Sequence, residues 1–299
     1  MKKNLNIKIV FLLSLCVIFS GCTVVMLGLF SDVFDRFDGH GPFDSWVSDY
    51  PREEIFFYSG RNRLQGFIYG GDYNKGLIVI SPGIYSYADE YDKMIRFLVD
   101  NEWRVFSYNC TGVDGSEGDS MRGLTQGILD LDAALTYIGN NDYFNDLPVM
   151  LAGFSWGGFS VCAVLNYNHN VKAVVSFAGF NSTQEAMEHQ IVEEVGGIFY
   201  IISPQLWALE KQLFGDTAKL SAVDGINKSN IPVMLVLCYD DDIIPPNTIS
   251  IYAHRNRIIN PNFTYLYLDG DDAFGHYFKN YPEGKELYEQ VNDFFENSR

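Results

Sequence analysis

Positive charge, cysteine and histidine are all scarce in this sequence, and each shortage closes off a class of function. Lys and Arg number 21 against 38 Asp and Glu, a formal net charge of −17 over 299 residues. A surface of that sign repels polyanions, so no nucleic-acid partner is expected. Of five cysteines, Cys16 lies in an N-terminal apolar run and Cys22 just after its core. The other three, Cys110, Cys162 and Cys238, have no metal-like spacing. Neither a disulfide framework nor a zinc site is indicated, and they read as buried thiols with room for one disulfide at most. Five histidines are few. His189 stands among Glu185, Glu188 and Glu193, a composition that suits a solvated helix face, and no metal is expected. Internal repeats and low-complexity segments are also absent.

What is present begins with an address. Lys2, Lys3 and Lys8 precede or open an apolar stretch, Ile9 to Phe19, which Ser20-Gly21-Cys22 follows. A basic start, a short apolar run and small residues form a signal-peptide pattern, giving 1–21 as the signal. Its end resembles a bacterial lipobox, with Phe19 where Leu is usual; that resemblance implies cleavage before Cys22 and lipidation of its thiol. A second reading stays open. Thr23 to Phe30 is apolar too, and 9–30 is long enough to span a bilayer as an uncleaved signal anchor. Either way the lysines favour the inner side, so the remainder is expected outside the cytoplasm and attached to the membrane.

Residues 22–52 read as a tether with scattered aromatics, Phe34, Phe37, Phe43 and Trp46. From residue 53 to 299 one globular domain of roughly 250 residues is expected. Ile55–Tyr58 and Leu64–Tyr69 read as strands about a turn at Ser59-Gly60-Arg61-Asn62. Leu77–Ile80, Arg104–Tyr108, Val149–Ala152, Val171–Phe177, Val233–Leu237 and Phe263–Leu268 are apolar runs suited to strands buried on both faces. Between them fall helix patterns at Glu90–Asp100, Leu124–Ile138, Phe159–Leu165, Thr248–Asn256 and Lys285–Glu296. This alternation predicts a mostly parallel, twisted sheet with helices on both faces and ligands at the carboxyl ends of its strands.

Gly153-Phe154-Ser155-Trp156-Gly157-Gly158 lies where strand should turn sharply into helix. Glycines two residues either side of a serine tolerate the close approach of a strained turn, which thrusts the hydroxyl out at the top of the sheet. Ser155 is therefore the candidate nucleophile, and the backbone N–H of Trp156 a candidate oxyanion donor. A serine needs a base. His254 falls in a helix pattern and reads as a surface residue, whereas His276 follows the last strand in Asp271-Asp272-Ala273-Phe274-Gly275-His276. The acid is expected where Val233–Leu237 ends, and Asp240, Asp241 and Asp242 compete for it.

From about Glu54 to the C-terminus the chain resembles α/β-hydrolases of the serine aminopeptidase, monoacylglycerol lipase and esterase group. The resemblance implies the α/β-hydrolase fold, with a helical cap insertion at about 181–222. Alignment on Ile244-Pro245 with the family's Gly-x-x-Asp-x-x-Val-Pro makes Asp241 the acid, and the family's chain order of Ser, acid and His makes His276, after the last strand, the base. The family often has His-Gly after its third strand; Pro82-Gly83 here implies Ile84 as the second oxyanion donor, with Tyr85 the alternative. The family's loop after the fourth strand is partly kept, with Gly112, Ser116 and Gly118 present but Asn109, Thr111 and Asp114 departing from it. The reaction implied is acyl transfer from a small-molecule ester through Ser155, with no cofactor and no metal. Peptide or thioester cleavage on the same residues, or a non-catalytic binding lipoprotein, are the rival readings. Ile198–Ile202 and Trp207–Phe214 hold large apolar groups that suit either a lid over an acyl pocket or ordinary packing on the sheet.

Overall fold

A computed structural model describes residues 33–39, 49–195, 199–268, 275–276 and 285–299. Cys22 and both readings of the N-terminal segment lie outside these residues. Among the described residues no helix is long and apolar enough to cross a membrane.

Eight strands form one sheet in the order β1-β2-β4-β3-β5-β6-β7-β8. They are β1 Arg52–Ser59, β2 Asn62–Tyr69, β3 Leu77–Ser81, β4 Arg104–Tyr108, β5 Val149–Phe154, β6 Val171–Phe177, β7 Val233–Cys238 and β8 Phe263–Leu268. β1 and β2 pair as an antiparallel hairpin, and β2 joins β4 antiparallel; every other pairing is parallel. The order turns back at β3, which has β4 on one side and β5 on the other. In open α/β sheets ligands bind at such a switch point, which here lies beyond the carboxyl ends of β3 and β5.

Side chains alternate across the sheet, and both faces are covered. Leu77, Val79, Leu151, Val174 and Leu235 face a core shared with Ile128 and Leu131 of α2 (Gln126–Gly139), Phe159 of α3 (Trp156–Ala163) and Val223 of a short later helix. Ile78, Ile80, Met150, Val175 and Val236 face the other core, with Met94 and Leu98 of α1 (Asp92–Asp100) and Val291 and Phe295 of the C-terminal helix Lys285–Glu296. The α/β-hydrolase architecture read from the sequence is thus the one observed. Cys110, Cys162 and Cys238 are buried thiols outside any disulfide; burial pushes the Cys162 thiol up to about 12.

Between β6 and β7 come α4 (Thr183–Val195), α5 (Phe199–Phe214), a 3-10 turn and α6 (Ala222–Lys228), and α7 is then the C-terminal helix. Of the two apolar stretches, residues 199–202 and 207–214 belong to one helix, α5, which carries Pro204 inside it, and Ile198 lies outside the described residues. α6 has no counterpart in the sequence reading. The expected helix at Thr248–Asn256 is instead a 3-10 helix, Ile251–Arg257, and His254 is not a plain surface residue: its Nε2 lies 2.9 Å from Glu185 of α4. Part of the expected tether is docked on the domain. Phe34 is buried, and residues 34–37 exchange backbone bonds with the loop after β4 (Met121 N–H to Phe34 O 2.7 Å, Phe37 N–H to Gly112 O 2.9 Å). Phe43 and Trp46 lie outside the described residues.

Candidate active site

The turn from β5 into α3 is built from close backbone contacts. A Cβ on Gly157 would stand 2.0 Å from the carbonyl oxygen of Ser81, and one on Gly153 would stand 2.2 Å from that of Gly157. Only glycine permits the end of β5, the end of β3 and the start of α3 to crowd together in this way. Ser155 sits between them at φ 53° and ψ −111°, a left-handed conformation costly for a residue with a side chain. The turn is pinned by Ser155 N–H donating to Phe177 O (2.8 Å) and Phe159 N–H donating to Ser155 O (3.0 Å). Trp156, the first residue of α3, is buried, and its N–H belongs to the first turn, which the helix ladder leaves unused. Its indole N–H donates to Leu124 O at 2.6 Å.

Ser155 Oγ lies 2.8 Å from His276 Nε2, and His276 Nδ1 lies 2.9 Å from Asp241 Oδ2 and 3.1 Å from Oδ1. Asp241 and His276 are both buried. Asp241 Oδ1 also accepts from the N–H groups of Ile243 (3.0 Å) and Ile244 (2.8 Å), which orients the carboxylate. An ionised carboxylate only accepts, so Nδ1 carries the proton and Nε2 presents its lone pair to the serine hydroxyl. The structure thus joins Ser155, His276 and Asp241 in one hydrogen-bonded chain and leaves the two rival aspartates out of it. Asp242 is exposed. Asp240 is not a plain solvated carboxylate, because both its oxygens accept from Gly275 N–H, at 3.1 and 3.2 Å. Sequence reasoning missed that contact; its one signal is a run of acidic residues longer than a single acid requires.

After β3 the chain closes a turn from Gly83 to Ser86 (Ser86 N–H to Gly83 O, 3.3 Å), with Tyr85 at φ 57°. Such a turn uses only its first carbonyl and last N–H, so the Ile84 amide stays outside its hydrogen bond. The Gly83 N–H is taken by Tyr91 Oη at 2.8 Å, in a ring stack of Tyr91 on Phe154 at 4.1 Å. Burial raises the Tyr91 phenol, which stays neutral. The Tyr85 phenol donates to Val33 O and its ring packs edge-on to Phe37, so it serves the N-terminal segment. The same loop is braced at Ala88, whose N–H donates to Asn109 Oδ1 (2.7 Å) and whose carbonyl accepts from Ser107 Oγ (2.6 Å). Two of the three departures after β4 are therefore structural: Asn109 holds the loop after β3, and Thr111 binds the buried Asp130 through its N–H (2.7 Å) and hydroxyl (2.9 Å).

A family model described as serine aminopeptidase, S33, matches residues 72–230, more than half of the chain. The chain belongs to this family. It is an α/β-hydrolase, and the match includes Ile84, Ser155 and Trp156 but ends before Asp241 and His276. No curated protein matches the sequence. Among solved structures, an esterase of Pyrococcus furiosus is similar with a TM-score of 0.68 at 15% identity, over 89% of this chain and 98% of that one. The α/β-hydrolase GrgF of a Penicillium species gives 0.64 at 16% identity, over 83% and 99%. An acylaminoacyl peptidase of Pyrococcus horikoshii gives 0.61 at 15% identity, over 86% of this chain and 44% of that one. At these identities the likeness is one of fold. Among the described residues no cluster of His, Cys, Asp and Glu is suited to a metal ion.

Proposed function

We propose that this protein is a serine esterase that cleaves a carboxylic ester through an acyl-enzyme on Ser155. The observation that carries the reading is the chain Asp241–His276–Ser155, with contacts of 2.9 and 2.8 Å, ending on a serine held in a strained turn. Ser155 Oγ attacks the ester carbonyl carbon as His276 Nε2 takes its proton. Asp241 holds the Nδ1–H and stabilises the imidazolium that forms. The amides of Trp156 and Ile84 receive the charge that develops on the carbonyl oxygen. His276 then returns the proton to the leaving alkoxide, and the acyl group stays on Oγ. Water, activated by His276, attacks the acyl-enzyme and frees the acid and Ser155. No step calls for a metal or organic cofactor.

We further propose that the enzyme acts outside the cytoplasm, tethered through a lipid on Cys22 or through the 9–30 segment as anchor. The basic start and apolar run support this. Fatty-acid labelling that is lost in Cys22→Ala supports the lipid, while membrane retention without label supports the anchor.

Peptide cleavage is the second reading, favoured by the family's description and by the likeness to an acylaminoacyl peptidase. A fluorophosphonate probe should label the wild type and not Ser155→Ala, and ester turnover should fall at least ~10³-fold in that variant. Aryl esters of short and long acids, run beside amino-acid anilides, separate the two substrate classes. A folded wild type that the probe does not label would sink both and bring a non-catalytic binding role forward.

A further inference from the structure

Two adjacent carboxylates hold two adjacent residues. Asp241 takes the imidazole Nδ1 of His276, while Asp240 takes the backbone N–H of Gly275 through both of its oxygens. One grips the ring and the other grips the main chain immediately before it. A hydrogen bond at Nδ1 does not by itself fix how a ring pivots about that bond. A further fixed point on the backbone restricts that pivot. Gly275 has φ 57°, and among the described residues no atom beyond its chain neighbours lies within 4 Å of where its Cβ would be. Asp240 is itself well anchored: it follows Tyr239, whose N–H donates to Leu268 O at 3.0 Å and continues the β7–β8 pairing.

We propose that Asp240 is a positioning residue for His276, working through the Gly275 amide to keep Nε2 at reacting distance from Ser155 Oγ. The proposal rests on the reading of His276 as general base. Asp240 touches no reacting atom, and its effect is geometric. Small misplacement of a reacting group costs up to about 100-fold in rate, so loss of the Gly275 contact should lower kcat while leaving substrate binding alone.

The test compares Asp240→Ala and Asp240→Asn, with every rate divided by the active sites that a fluorophosphonate titrates. Asp240→Ala removes the acceptor; kcat should fall between about 10- and 100-fold with KM within about twofold. Asp240→Asn keeps an oxygen that accepts from Gly275 N–H and should recover most of that loss. A role confined to folding would reduce the number of titrated sites and leave the rate per site unchanged, which overturns the proposal. Equal rates for Ala, Asn and wild type overturn it as well. A readout free of turnover uses glycine labelled with nitrogen-15. The Gly275 amide proton should move upfield and exchange faster in Asp240→Ala, with Asp240→Asn between the two. The low-field Nδ1 proton of His276 should broaden in step. If the wild type is not labelled by the probe, the esterase reading fails, and these resonances still decide whether Asp240 orders His276. Unchanged resonances in Asp240→Ala would end the proposal on their own.

Discussion

Ser155 and His276 meet at 2.8 Å, and they reach that point by opposite means. The serine is set by backbone crowding at its own turn: Gly153, Gly157 and Gly158 each face a carbonyl oxygen, of the turn itself or of the ends of β3 and β6, at less than 3.0 Å from an added Cβ. The histidine is set by side chains from another strand end, Asp240 and Asp241, 35 residues away in sequence. One half of the site is steric, main chain against main chain; the other is electrostatic, side-chain carboxylates on a ring and an amide. A steric device fails when an atom is added, whereas a polar device fails when an atom is removed.

A pair of matched substitutions should break that comparison open. Gly157→Ala adds a methyl group 2.0 Å from Ser81 O, and its nearest neighbours are main-chain atoms of Ser81 and Pro82, not the end of a flexible side chain. It should cost about 3 kcal/mol or more in stability and abolish probe labelling, the result of overpacking backbone against backbone. Gly275→Ala meets no atom of the described residues within 4 Å and should cost what its left-handed φ of 57° costs a residue with a side chain, about 1 kcal/mol, with activity lowered less than tenfold. Thermal unfolding and labelling of the two proteins check both. Similar losses in the two would show that His276 stands in a steric cradle as tight as the serine's, and the contrast would be void.

The same contrast explains what the sequence shows by itself. Gly-x-Ser-x-Gly between an apolar run and a helix is visible because the glycines that its crowded contacts require, such as that of Gly157 with Ser81, fall within one short piece of chain. The strands are visible because burial on both faces leaves unbroken apolar runs such as Leu77–Ile80. Choosing Asp241 over Asp240 and Asp242 needs a family pattern, since composition is identical at the three positions. Polar contacts that a side chain makes elsewhere in the chain leave no mark in sequence: Tyr91 Oη on Gly83 N–H, Asp240 on Gly275 N–H and the His254 ring on the Glu185 carboxylate are of this kind. The Ile251–Arg257 segment is a 3-10 helix, a distinction that apolar spacing over seven residues does not carry.

The contact between α5 and the body extends the comparison to a third region, with the smallest effect. Glu210 of α5 is buried, its Oε1 accepts from Thr125 Oγ1 at 2.5 Å, and its Oε2 has no hydrogen-bond partner among the described residues. Thr125 follows Leu124, whose carbonyl takes the Trp156 indole N–H at 2.6 Å, so this carboxyl ties α5 to the segment that steadies the serine turn. Burial raises its pKa above the ordinary glutamate value of 4.5, against the lowering effect of the Thr125 bonds. A carboxyl whose folded pKa is raised stabilises the fold most while protonated, below the unfolded value. That stability is lost as pH rises through the higher folded value. Glu210→Gln keeps the size and the acceptor and removes the charge. Wild type and variant should therefore melt together at pH 4, while at pH 8 the variant should melt higher by about 2–4 °C, the shift that ~1 kcal/mol gives in a domain of this size. A Tm difference that is the same at both pH values would mean that Glu210 is neutral throughout. One that favours the wild type at pH 8 would mean that the charged carboxylate has a partner, and that α5 is held by charge as His276 is.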